Sequence, residues 1–289
     1  MSWRTVVISN SAKLDYKMGY MIVRQGEITK IHMSEIALLL IESTAVSITA
    51  SLLAELTKQK VKVIFCDEKR NPSSELVPYY GSHDTSSKVR TQVAWEKETK
   101  LMIWTEIVSE KIRNQRKMLK IAGREEEALL LQSYLEEIAP GDATNREGHA
   151  AKVYFNGLFG KDFSRTSDVP FNAALNYGYG ILLSAVNREI VSNGYITQLG
   201  IFHDNMFNQF NLGSDLMEPF RIFVDRKVFE MKPEKLEHEE KIELVNLMNL
   251  EVMIDGKNNY LSNVIKIYCR SVFDALNDKD ISLLKFCQW

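Results

Sequence analysis

The sequence has no apolar run long enough to cross a bilayer: the longest, Ile36 to Ile41, falls far short of the ~20 residues a spanning helix needs. No charged-then-apolar leader opens the chain, so no export signal is expected. Cysteine is scarce. Cys66, Cys269 and Cys287 are odd in number and widely spaced, which argues against a disulfide framework or a zinc knuckle and for a reducing cytoplasm. A surplus of one charge is also missing: 36 basic against 38 acidic residues leave a net charge of -2. Nucleic-acid binding would therefore have to come from local basic faces or from assembly with other chains. There is no internal repeat and no low-complexity tract.

What is present is ordinary for a soluble globular protein: 45% hydrophobic and 26% charged residues over 289 positions, enough to bury a sizeable core. Residues 3 to 66 read as short strands, "RTVVIS", "AKLDYK", "YMIVRQ", "EITKIH", "ALLLIES" and "VKVIFCD", with Gly19 and Gly26 as turn points. The spacing predicts an antiparallel sheet or small sandwich, interrupted by one helix in "ITASLLAELTKQK" with Ile48, Leu52, Leu53 and Leu56 on its apolar stripe. Residues 67–87 change character. Two of the six prolines, a serine cluster and Gly81 mark a connection. Beyond it the pattern is helical almost to the end. The fold class expected is α+β: an antiparallel β-domain over 1–75, a linker over 76–87 and an all-helical domain over 88–289.

In the helical part, Trp104, Val108, Ile112 and Leu119 keep one stripe, while Arg113, Arg116, Lys117 and Lys120 fall at i, i+3, i+4 and i+7 on another face. That basic row is either a solvated surface or a track for phosphates. "FNAALNYGYGILLSAVNREIVSNG" reads as a long helix stopped at Gly194, and "NNYLSNVIKIYCRSVFDALN" as a last amphipathic one.

Three segments could carry chemistry. In "NREGHAAKVYFNGLFG" a helix would put Glu147 at the head of a face otherwise made of Ala150, Ala151, Tyr154 and Leu158. An acid there either complements the helix dipole or holds a partner. His149, about 200° away, cannot serve the same site. In "LGIFHDNMFNQFNLGSD", His203 precedes loop-like Asn205, Asn208 and Asn211, and is either structural or catalytic. In "GSDLMEPFRIFVDR", Asp215 and Glu218 lie on one helical side. Pro219 is tolerable only in a first turn, so a helix starts near Ser214 or near Glu218. Glu218 could serve only as a cap paired with Arg221. Taken together, two carboxylates and one imidazole with no thiolate suit a hard divalent cation such as Mg²⁺ or Mn²⁺, with open positions for water and phosphate oxygens.

"NREGHAAKVYF", "NAALNYGYGILLSAV" and "LGIFHDNMFNQFNLGSDLMEPFR", followed by "VDR", resemble in order and spacing the CRISPR-associated spacer-acquisition integrase, the larger subunit of the adaptation complex. "WRTVVISNSAKLDYKMGYMIVR" and "PYYGSHDTSS" look like the type II-A branch, so the resemblance covers effectively the whole chain. It implies a β-domain that dimerises, and two homodimers flanking a dimer of a small second adaptation subunit. It also implies an RNA-guided effector nuclease and an accessory adaptation protein as further partners, and no membrane. The ligands it implies for Mg²⁺ or Mn²⁺ are Glu147, His203 and Glu218, which are also its catalytic residues. Asp215 and Arg221 would support those ligands, as would Asp225. The chemistry implied is attack by the 3′-hydroxyl of a short double-stranded DNA fragment on a phosphodiester of CRISPR repeat DNA. The departures are Phe202, where members often carry a second histidine or a leucine, and Ile222, where they carry proline. Two other readings stay open: a hydrolytic nuclease for branched repair DNA, and a catalytically silent DNA-binding scaffold.

Overall fold

The structure, a computed structural model, describes residues 4–68, 70–79 and 82–289. Trp3, Tyr80 and Gly81 of the motifs quoted above lie outside the described residues. The strands are β1 (Arg4–Ile8), β2 (Ala12–Lys17), β3 (Tyr20–Arg24), β4 (Ile28–His32), β5 (Ile36–Ile41) and β6 (Val46–Ile48). Helix α1 (Ala50–Lys58) precedes β7 (Lys62–Cys66) and β8 (Pro72–Glu75). The helical part runs α2 (Thr85–Val93), α3 (Lys97–Ile121), α4 (Glu125–Glu136), α5 (Arg146–Phe159), α6 (Pro170–Ser192), α7 (Asn211–Met217), α8 (Arg221–Met231) and α9 (His238–Val245). A hairpin, β9 (Glu251–Ile254) and β10 (Lys257–Tyr260), then leads into α10 (Leu261–Asp278). The class is mixed α+β, strands first and helices after. Among the described residues no helix is long and apolar enough to cross a membrane.

Three expectations need correction. The β part is not antiparallel throughout: one sheet has the order β1-β5-β7-β8, with β1, β5 and β7 parallel, and in the other, β4-β3-β2-β6, strand β6 runs parallel to β2. The physical signal was in β5, whose residues "IALLLI" are all buried. An unbroken apolar strand is covered on both faces, as parallel strands usually are. The helical part is not all-helical, since the β9–β10 hairpin closes it through the left-handed pair Asp255 and Gly256. And Ile48 belongs to β6, because Thr49 caps α1 by accepting a hydrogen bond from the Leu52 N–H.

The pleat of β5 joins the two parts. Leu39 and Ile41 point into a core shared with Leu14, Met21 and the α1 residues Leu52 and Leu56. Leu38 and Leu40 point the other way, into the large core of α3, α6, α8 and α10. Within it α6 and α8 approach closely at Gly178, where a Cβ would stand 2.5 Å from Val224 Cγ1. The apolar stripe read from the sequence, Trp104, Val108, Ile112 and Leu119, is fully buried along α3. The helix expected to end at Gly194 ends at Ser192, with Gly194 at φ +86° just beyond it.

Candidate metal centre

Three pieces of chain meet on α3. The first is the start of α5. Asn145, in the left-handed region, accepts from the Gly148 N–H, and buried Asp142 accepts from the N–H groups of Arg146 and Glu147 at 2.7 and 3.0 Å. With the helix start thus satisfied by other side chains, the Glu147 carboxylate is left to project toward α3.

The second is the break between α7 and α8. Neither start considered from the sequence is correct alone: α7 begins earlier, at Asn211, and Glu218–Phe220 form a 3₁₀ turn between the helices. Pro219 explains the break, because it lacks the N–H that would continue the α7 ladder. The Pro219 carbonyl accepts from Asn114 Nδ2 of α3 at 3.3 Å, and Asn114 Oδ1 in turn accepts from Trp289 Nε1 at 2.8 Å. Glu218, 3% exposed, is fixed by this turn facing the same point as Glu147.

At that point lies the ammonium of Lys111. Its Nζ stands 2.6 Å from Glu147 Oε1 and 2.5 Å from Glu218 Oε2. Burial alone would lower the lysine's pKa, but Glu218 and Glu147 outweigh it and leave it raised. Arg221 donates from Nε to Glu218 Oε1 at 2.9 Å and lies over the Tyr179 ring. Burial would raise the Glu218 carboxyl, and the two cations beside it hold it well below the usual carboxylate range instead. Glu218 Oε2 is buried and has the Lys111 ammonium as its partner.

The third piece is the loop before α7. Asp215, fully buried, accepts from the N–H groups of Ile201, Phe202 and His203 at 2.6, 3.0 and 3.1 Å, and faces His203 Nδ1 at 2.6 Å. One carboxylate therefore shapes the turn and orients the ring. Asp215 beside Nδ1 favours the tautomer that carries its proton there, which in the neutral ring leaves the Nε2 lone pair to a ligand. The hydrogen bond to Asp215 raises the histidine's pKa, and Glu218 and Glu147 act in the same direction. The imidazole is 38% exposed, so its free edge opens outward. Only glycine fits at Gly200, where a Cβ would sit 2.3 Å from the His203 carbonyl oxygen. Phe202 stacks on Trp104 with centroids 4.6 Å apart and anchors the loop to α3.

The structure thus joins Glu147 and Glu218 on one cationic atom and sets His203 beside them on Asp215. Among the described residues no three His, Cys, Asp or Glu side chains form a ready group for a metal ion; Lys111 stands where Glu147 and Glu218 converge. The donor set nevertheless fits a hard cation: two carboxylate oxygens share one focus, now filled by the Lys111 ammonium, and an imidazole edge opens beside them. The basic row is partly spent inside the protein: Arg113 pairs with Glu110 at 3.2 Å, and the Lys117 ammonium lies 4.3 Å from the Trp289 ring centre. Arg116 is only part-exposed, and Lys120 is exposed. His149 is exposed near Tyr134, on another side of α5. Sequence reasoning missed Lys111, although a signal existed: it lies seven residues after Trp104 and three after Val108, on the buried stripe. A lysine there demands a carboxylate.

Behind Arg221, Asp225 is 2% exposed and accepts from the Tyr179 hydroxyl. Burial pushes its carboxyl up to about 6 from 3.8, against the Tyr179 hydroxyl and Arg221. A raised acid destabilises the fold where it must ionise. Between about pH 4 and 6 the unfolded chain loses this proton first, so this contribution to stability falls as pH rises and is level above. Asp225→Asn should remove that fall, gaining about 3 kcal/mol at most at pH 7.5 relative to pH 4. Thermal unfolding of both proteins at the two pH values checks it; an identical pH dependence would contradict it.

The sequence and the fold have counterparts among known proteins. A family model described as CRISPR associated protein Cas1 matches residues 5–253. The chain is 31% identical over 291 aligned positions to a CRISPR-associated endonuclease Cas1 of Neisseria meningitidis serogroup C (strain 8013), covering 99% of this chain and 96% of that one. Among solved structures it is similar to a casposase bound to integration product, with a TM-score of 0.78, 20% identity, and coverage of 96% of this chain and 91% of the other. It is also similar to a chain of a Cas6-RT-Cas1–Cas2 complex, with a TM-score of 0.76, 18% identity and 97% of this chain covered, though it spans only 36% of that longer chain. With the family model spanning most of the sequence and a relative of this identity aligned end to end, the chain belongs to the CRISPR associated Cas1 family.

Proposed function

We propose that this chain is a metal-dependent DNA strand-transfer enzyme of CRISPR adaptation, which joins the 3′-hydroxyl of a short DNA fragment to a phosphodiester of the repeat array. The observation that carries the reading is the convergence of Glu147 and Glu218 on one cationic atom, beside a histidine whose ring is set by Asp215. Mg²⁺ or Mn²⁺ held by Glu147, Glu218 and His203 would supply charge neutralisation at phosphorus and a more acidic attacking hydroxyl. The chain's own residues do the rest. Asp215 and the Phe202–Trp104 stack keep His203 from drifting. Arg221 holds Glu218 by its second oxygen. Arg113, Arg116, Lys117 and Lys120 offer sequence-independent contacts to the DNA backbone, with affinity falling steeply with salt.

Support for assembly comes from the relatives. The similar complex contains a Cas2 component, which favours a partnership with the small second adaptation subunit; that two homodimers flank its dimer is what the sequence resemblance implies. Residues 1–75 would form the dimerisation part and 88–289 the catalytic part, joined over 76–87. The type II-A assignment, the RNA-guided effector nuclease and the accessory adaptation protein rest on the sequence motifs alone.

The test is to incubate the protein, with and without its small partner, with a labelled fragment and a supercoiled plasmid carrying a repeat. Joined product is expected in Mg²⁺ or Mn²⁺ and none in EDTA. Nicking without joining would instead select the hydrolytic nuclease, and unchanged DNA the silent scaffold.

A further inference from the structure

We infer that Lys111 is an internal counter-ion that a divalent cation must displace, and that it thereby couples metal loading to the arrival of a DNA phosphate. The inference rests on the reading that Glu147 and Glu218 hold the ion. Two carboxylates buried or nearly so, at 19% and 3% side-chain exposure, cannot face each other without a cation between them. Lys111 provides it. It grows from the middle of α3, is itself only 11% exposed, and contacts one oxygen of each acid. The other Glu218 oxygen is held by Arg221, so the acid keeps its place when the ammonium leaves.

A metal ion and this ammonium claim the same two oxygens, so each weakens the binding of the other. Once displaced, the ammonium is a charge on a long flexible stem in a largely covered site, with the Arg221 cation beside it and the two acid oxygens it held taken by the ion. An incoming phosphodiester offers that missing partner. Metal and DNA should then bind more tightly together than either does alone, and by reciprocity each should strengthen the other by the same factor. The arrangement keeps the acids assembled and the centre inactive until substrate arrives.

The test uses the full-length protein and Mn²⁺, followed by titration calorimetry and by the spin resonance of bound Mn²⁺, with and without a short duplex that carries no repeat. Wild type is expected to bind Mn²⁺ about tenfold more tightly with the duplex present, within the usual range of coupling between sites. Lys111→Met is expected to bind Mn²⁺ about tenfold more tightly than wild type without DNA, and to gain little from adding it. Its melting temperature should fall in EDTA and recover with Mn²⁺ more than that of wild type. Lys111→Met binding Mn²⁺ no better than wild type would overturn the proposal. So would a wild-type affinity indifferent to the duplex, a result that stands even if the variant fails to fold. Adding Glu218→Ala to Lys111→Met separates the two layers. If the added change abolishes Mn²⁺ binding while Lys111→Met alone does not strengthen it, only the displacement idea fails. If it leaves Mn²⁺ binding intact, the reading of the acids as ligands fails with it.

Discussion

His203→Ala is expected to eliminate joining while fold and DNA binding persist. The imidazole is 38% exposed and its packing is modest, edge-on to Trp104 at 5.6 Å between centroids. Its removal therefore leaves a hollow open to water rather than a sealed cavity, and the stability loss should be small. Chemistry loses far more. A ligand that fixes a catalytic cation supports several kcal/mol of transition-state stabilisation, so joining should drop by about 10³-fold or more. Glu218→Gln should do the same while preserving shape, because an amide keeps one oxygen for Arg221 but gives up the charge. Strand-transfer rates measured beside circular dichroism and a DNA-binding titration check all three quantities. Full joining by His203→Ala would contradict the mechanism.

Asp215 presents the second large effect, and here folding and chemistry separate by choice of substitution. Its carboxylate takes three backbone N–H groups and the His203 ring inside a fully buried pocket. Asp215→Ala leaves all of them unmatched. A buried pair broken on one side costs about 3–5 kcal/mol, and the turn at Gly200 has no alternative acceptor built in. Unfolding should shift down by roughly 10 °C at the ~2–4 °C per kcal/mol typical of large domains. Asp215→Asn keeps the shape and one acceptor oxygen, so most of the fold survives. It loses the charge that holds the Nδ1 proton, and joining should fall about 10–100-fold, as for other residues that orient a ligand from behind. Equal joining by Asp215→Asn and wild type would mean that the ring needs no such orientation.

The sequence carried the parts of this account that depend on local pattern. The stripe through Trp104 and Val108 is buried, the acid at Glu147 does head a helix, and the proline after Glu218 does interrupt one. The parts it hid depend on distance along the chain. Strand direction was misjudged because β1 pairs with β5 across three intervening strands, and no local spacing records that partner. The start of α7 was misplaced because Asn211 enters the helix through long-range bonds, its amide donating to the carbonyls of Gln198 and Asn205. Asp215 could not be separated from Glu218 by spacing alone. Three apart, they diverge because the 3₁₀ turn re-aims Glu218 toward Lys111 while Asp215 stays under the His203 loop. Lys111 does not stand out in the sequence, because its two carboxylate partners lie 36 and 107 residues away and nothing local records them.

The most direct measurement is anomalous diffraction from crystals of the protein soaked in Mn²⁺ with a DNA duplex. The account predicts a single strong peak within ordinary ligand distance of Glu147, Glu218 and His203 Nε2, with the Lys111 ammonium moved off both acids. A peak elsewhere, or none at Mn²⁺ concentrations that sustain joining, with Lys111 still bridging the two carboxylates, would contradict it.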